Sequence, residues 1–100
     1  MSDDIIIVKE IVIMIKSILC ENVKLPPAGS TILFETIREL GNKFEDTTWD
    51  THSVRISDST PESIIDACDE LRKQANDDHH VYIEGFEHVR GPFYKVWIGS

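Results

Sequence analysis

The sequence predicts an α+β fold: a single small domain with helices packed on one face of a small, mostly antiparallel sheet that ends in a C-terminal β-hairpin. Three observations predict it. Apolar residues recur at helical spacing through the first 44 residues, residues 60–76 join a strong helix-start signal to an amphipathic run, and residues 81–98 alternate apolar and polar side chains around Arg90-Gly91-Pro92. The implied element order is ααβαββ. With 100 residues, 41% of them hydrophobic, the chain has material for one two-layer core, and too little for a cofactor domain beside a substrate domain. That apolar content, with eight aromatic residues, argues against intrinsic disorder.

The first helix is expected over residues 3–22. Polar pairs at Lys9/Glu10 and Lys16/Ser17 return after seven residues, which gathers them on one stripe and leaves the rest of the circumference apolar. Ser2, Asp3 and Asp4 supply a cap and negative charge at its positive end. Nine of the fifteen residues from Ile5 to Leu19 are Ile or Val, a composition that favours strands, but no turn residue divides the run. So apolar a helix needs cover on several sides, from the rest of the fold or from a second copy packed on Ile7, Ile11, Met14 and Ile18.

After Pro26-Pro27, a second helix is expected to start at Ser30 or Thr31, with Ile32, Leu33, Ile37, Leu40 and Phe44 as its core stripe and Gly41-Asn42 near its end. Glu45 to Thr51 reads as a loop. Ser53 to Ser57 alternates as a short strand with Val54 and Ile56 inward and Arg55 outward. In the third helix Thr60 is the N-cap and Pro61 takes the first turn, where its missing N–H costs nothing. That helix buries Ile64, Ile65, Cys68, Leu71 and Ala75 and ends near Asn76. In the hairpin, a loop at Arg90-Gly91 sets Val89 opposite Pro92, His88 opposite Phe93 and Phe86 opposite Lys95. One face then carries Tyr82, Phe86, Phe93 and Trp97 among polar residues, and the other carries Val81, Ile83, Val96 and Ile98.

No constellation of residues announces catalysis, so the chain is not expected to be an enzyme. The five glycines are scattered at positions 29, 41, 85, 91 and 99, which leaves no phosphate loop, and no G-x-S-x-G elbow occurs. Cys20 and Cys68 both occupy apolar helix positions and lack the paired spacing of a zinc knuckle. His80 and His88 lie eight residues apart, about 26 Å along a strand, too far to share one ion. No metal or cofactor is expected. Residues 4–75, with an apolar first helix, Ser30 opening a helix that holds Glu35, Leu40 and Phe44, and a late helix after Thr60, resemble an acyl carrier protein. That resemblance implies a phosphopantetheine carrier at Ser30. The sequence departs from the family in reading Gly29-Ser30-Thr31 where the family has Asp-Ser-Leu, and the hairpin has no counterpart there.

Charge is the more informative feature. The chain has 18 acidic side chains against 10 basic ones, a net charge of −8, which disfavours direct nucleic-acid binding. Between Glu45 and Glu70 there are eight acids and one base, Arg55, a local charge of −7. Glu62, Asp66 and Glu70 recur along the third helix about 6 Å apart, with Asp69 beside them, near the spacing of phosphates on a nucleic-acid strand that such a stripe could imitate. The expectation is a small acidic protein-binding module of inhibitor, immunity or adaptor type. It would dock Asp46, Asp50, Asp58, Glu62, Asp66, Asp69 and Glu70, together with Tyr82, Phe86, Phe93 and Trp97, onto another protein with a basic surface. The alternatives are a structural homo-oligomer, such as a homodimer, assembled through the first helix, and a small enzyme or acyl-carrier-like protein. Met1-Ser2-Asp3-Asp4 lacks the cationic start of a secretory signal, the apolar run of about 15 residues is too short to span a membrane, and two cysteines suit a reducing interior. A cytoplasmic location is therefore expected.

Overall fold

The computed structural model describes residues 15–100. Its elements are β1 (Ile18–Leu19), β2 (Thr31–Glu39), a 3-10 turn (Phe44–Asp46), β3 (Thr48–Arg55), α1 (Pro61–Gln74), β4 (Tyr82–Arg90) and β5 (Phe93–Gly99). Helix and strand are mixed as expected, but the predicted order ααβαββ is wrong: the described residues hold one α-helix and a five-stranded mixed sheet in the order β1-β4-β5-β2-β3. β2–β3 and β4–β5 are antiparallel pairs, joined by a short parallel contact between Thr31–Leu33 and Phe93–Lys95.

The predicted second helix is strand β2. Ile32, Leu33 and Ile37 fit a helical stripe, yet Thr31, Ile32, Thr36 and Ile37 are β-branched and Ile32, Phe34 and Thr36 alternate, so a pleated strand suits them better than a helix. Ser30 does not open a helix either. It is buried, its hydroxyl donates to the Pro27 carbonyl at 2.6 Å, and Gly29 at φ +86° turns the chain into the strand. A serine so placed cannot present a carrier arm, and with no helix behind it the acyl-carrier resemblance falls.

The described end of the predicted first helix is also extended. The Ile18 N–H donates to the Val81 carbonyl at 2.7 Å and the Cys20 N–H to the Ile83 carbonyl at 3.1 Å, which makes β1 a parallel edge strand on β4. The Ile- and Val-rich composition prevails here over the helical period. The remainder of that predicted helix, with Ile7, Ile11 and Met14, lies outside the described residues. Ile18 lies on the sheet edge and is exposed.

Helix α1 forms as the sequence predicts. The Thr60 hydroxyl accepts the Ser63 N–H at 3.2 Å, and Pro61 opens the first turn. At its end Asn76 adopts φ +53° while the Asp77 N–H reaches the Arg72 carbonyl at 2.9 Å and the Asn76 N–H reaches Lys73, a Schellman closure in which asparagine replaces the usual glycine. Ile64, Ala67, Cys68 and Leu71 of the helix meet Ile32, Phe34, Ile83, Val96 and Ile98 of the sheet, with Ile56 closing the core beside them. Val54 and Ile56 point inward and Arg55 outward, as expected, although the strand begins at Thr48 and absorbs part of the predicted loop.

The hairpin exists, but its predicted register is off. The two-residue turn is Gly91-Pro92, with Gly91 at φ +49°, and bulges between Ile83 and Gly85 and between His88 and Arg90 shift the pairing. Phe86 therefore faces Val96, and His88 faces Tyr94. A slip of one residue moves a side chain to the opposite face, and this one carries Phe86 from the expected aromatic face to the margin of the core.

Candidate functional site

Strand alternation and the observed registers together define a helix-free sheet face. It carries Tyr82 of β4, Phe93, Lys95 and Trp97 of β5, Leu33, Glu35 and Ile37 of β2, and Trp49 of β3 opposite Ile37. Five of these are large apolar residues left in solvent: Tyr82 is 43% exposed, Phe93 36%, Trp97 50%, Ile37 51% and Trp49 41%. Sequence reasoning found Tyr82, Phe93 and Trp97, misplaced Phe86, and missed Leu33, Ile37 and Trp49. The alternation in Thr31–Glu39 was the available signal for the first two.

The charges on this face satisfy one another. Lys95 Nζ lies 3.5 Å from Glu35 Oε1 and 4.2 Å from the Trp97 ring centroid, and the Trp97 indole N–H donates to Glu87 Oε1 at 3.3 Å. The Phe44 and Trp49 rings lean together with centroids 6.1 Å apart. The result is a broad amphipathic surface with aromatic anchors and no uncompensated charge at its centre.

The predicted acidic surface is less coherent in space than in sequence. Asp69 accepts the Ser17 N–H at 2.7 Å and lies 3.5 Å from the guanidinium of Arg72, so it is engaged with the segment leading into β1. Asp50 is bound by Arg38, whose Nε donates to it at 2.7 Å; this bond holds the Asp50 carboxyl below the usual range and raises Arg38. Hydrogen bonds from Ser63 and Thr60 lower Asp58 in the same way at the helix cap. Asp66 stands 4.0 Å from Lys16. The cations Lys16, Arg38 and Arg72 all come from outside the acidic segment, and of the named set Asp46, Asp58, Glu62 and Glu70 remain exposed without a charged partner among the described residues, Asp58 being hydrogen-bonded at the helix cap. Glu62 and Glu70 lie on α1, which covers the opposite side of the sheet from the aromatic face.

A second feature lies where β2 and β5 part. The two strands pair only as far as Leu33 and Lys95, and beyond them a cleft of about 920 Å³ opens between Phe34–Arg38 and Val96–Ile98. The turn after α1 closes one end. There Asp77 accepts the N–H groups of His79 and His80 at 2.9 and 3.0 Å, and its second oxygen lies 2.7 Å from His80 Nδ1. Burial alone would raise Asp77, but these bonds from His80 and His79 outweigh it and hold the carboxyl low. His52 Nε2 lies 3.2 Å from the Thr36 hydroxyl on another wall of the cleft. Among the described residues no group of three or more His, Cys, Asp or Glu side chains could hold a metal ion, and no helix is long and apolar enough to cross a membrane.

Cys68 is not a nucleophile in this fold. Burial, with Asp69 adding to it, pushes its thiol up to about 12, so on the order of 10⁻⁴ of it is thiolate at pH 8. Iodoacetamide at pH 8 is expected to modify the native protein at the half-buried Cys20 only, and Cys68 is expected to react once urea unfolds the chain. Peptide mass mapping before and after denaturation checks this. No family model, curated protein or solved structure matches the chain.

Proposed function

We propose that the chain is a protein-binding module, without catalysis of its own, that docks the helix-free sheet face onto an apolar surface of another protein in a reducing, cytoplasmic setting. One observation supports this above all: five large apolar side chains stay exposed on a single face. Isolated exposed apolar residues are ordinary on soluble proteins, whereas several aromatic residues gathered on one sheet face among polar ones have the make-up of an interface core. The pairing of Lys95 with Glu35, and of Glu87 with Trp97, leaves the patch little to gain from a strongly charged partner. The aromatic face is favoured over the acidic surface expected from the sequence, because Asp50, Asp58 and Asp69 of that surface are engaged within the fold.

The test compares affinity purifications from the native source using wild type, Trp97→Asp, and Glu62→Lys/Glu70→Lys. A protein retained by wild type and the helix variant, lost with Trp97→Asp, and held between about 50 and 300 mM salt supports docking through the sheet face. Loss with the helix variant and with salt would shift the interface to the acidic helix. Light scattering adds a further arm: a wild-type dimer that Trp97→Asp converts to monomer would show that the face serves self-association.

A further inference from the structure

We infer that the open edge of β3 is a pairing site for a second copy of this chain, the two β3 strands lying antiparallel across a two-fold axis at Thr51. This goes beyond the docking function and does not rest on it, because the groups involved are main-chain groups in the plane of the sheet. β3 is the last strand in the order β1-β4-β5-β2-β3, so one of its sides has no neighbour among the described residues. Its ladder shows which peptide groups are open. The Ile56 N–H donates to the Ser30 carbonyl and the Ile56 carbonyl accepts from Gly29, and the register then runs without a shift from the Thr31/Arg55 pair to the Ile37/Trp49 pair. Val54, His52 and Asp50 therefore bond β2, while Ser53, Thr51 and Trp49 turn their N–H and carbonyl groups outward. The Ser53 carbonyl accordingly accepts from the Gln74 side chain at 3.3 Å, and the other outward groups of these three residues have no partner among the described residues.

The occupant is a strand, and this chain's own β3 fits it. Beyond Leu33 and Lys95 the β2–β3 pair has no third strand, and a two-stranded ribbon is marginal in water until another strand or a helix joins it. The other open edges are blunted: β1 is two residues long, and β4 is bulged near both ends of the stretch that β1 leaves uncovered. β3 has neither proline nor lysine. A two-fold contact gives both copies the missing strand at once, with about six main-chain hydrogen bonds from three facing pairs. With the axis at Thr51, Thr51 meets Thr51, Trp49 meets Ser53, and Asp50 meets His52 of the other copy. Arg38 engages only Oδ1 of Asp50, which leaves Oδ2 for that contact. Moving the axis by one residue sets Asp50 against Asp50 or His52 against His52, and like groups directly opposite are unfavourable when charged.

Sedimentation equilibrium of the intact protein up to about 1 mM is the test, and wild type is expected to show a monomer–dimer equilibrium. Thr51→Pro removes an outward N–H and leaves the β2–β3 bonds in place, since proline is tolerated where the N–H of an edge strand faces solvent. It should weaken the dimer at least about tenfold and leave the far-ultraviolet circular dichroism unchanged. Trp97→Asp, on the helix-free face, should leave the dimer intact, which separates the edge from that face. Wild type also gives a readout that needs no variant. In a mixture of isotope-labelled and unlabelled protein, a filtered NOE should join Asp50 Hα to His52 Hα of the other copy, because facing residues of a non-hydrogen-bonded antiparallel pair lie closest. A protein that stays monomeric at that concentration, a dimer that folded Thr51→Pro does not weaken, one that Trp97→Asp abolishes, or one without that NOE would overturn the assignment.

Discussion

Arg72→Ala is expected to cost about 3–5 kcal/mol, a large fraction of the stability of a domain of this size. The Arg72 side chain is 0% exposed. Its Nη1 donates to the Ile15 carbonyl at 2.6 Å and to the Ser17 hydroxyl at 3.0 Å, and lies 3.5 Å from Asp69, which in turn accepts the Ser17 N–H. Truncation strips that cluster of its cation and leaves a void beside Leu71 and Cys68. Because the Ile15–Ser17 segment leads directly into β1, the loss should spread to that edge of the sheet. Nε and Nη2 of Arg72 find no acceptor among the described residues, so the arginine carries desolvation that its bonds only partly offset. Arg72→Met, which keeps the volume and discards the charge, is therefore expected to cost clearly less than alanine. Urea midpoints of the three proteins at constant slope decide it; an alanine variant within about 1 kcal/mol of wild type would show that the cluster does not hold β1 to the helix.

Position 72 also illustrates what the sequence could tell. Cys68, Leu71, Arg72 and Ala75 follow helical spacing, so the arginine falls on the buried stripe, and an arginine there signals an internal partner. Helix α1 was legible because its cap, its proline and its apolar stripe are all local. The hairpin was legible as an element, and Tyr82, Phe93 and Trp97 were legible as one face. Its bulges at Glu84 and Val89 leave no mark in the alternation, so Phe86 went to the wrong side. The sheet order, the parallel contact of β2 with β5 and the cleft beyond it are products of pairing between distant segments, which no local pattern encodes. The acidic run looked like one surface because two of its cations, Lys16 and Arg38, are remote in the chain and close in the fold, while the third, Arg72, lies just past its end.

The strand assignment of residues 31–39 rests on a comparison that one residue type can make twice. Ile32 and Ile37 would share the core stripe of a helix, and truncating either would then be about equally damaging. In the strand they lie on opposite faces: Ile32 is 0% exposed between sheet and helix, and Ile37 is 51% exposed on the aromatic face beside Trp49. Ile32→Ala is therefore expected to cost about 2–5 kcal/mol, from lost burial and the cavity left behind, and Ile37→Ala no more than about 0.5 kcal/mol. Urea unfolding of both variants measures the contrast. If Ile37→Ala proved as costly as Ile32→Ala at every protein concentration, the helix-free face would have to be covered by the chain's own residues, and it could not serve as a docking surface. If its cost grew with protein concentration, the cover would be a second copy. A large cost at Ile32 with almost none at Ile37 leaves the isoleucine exposed for a purpose other than folding, and Ile37→Ala should then weaken partner capture alongside Trp97→Asp while leaving the urea midpoint near that of wild type.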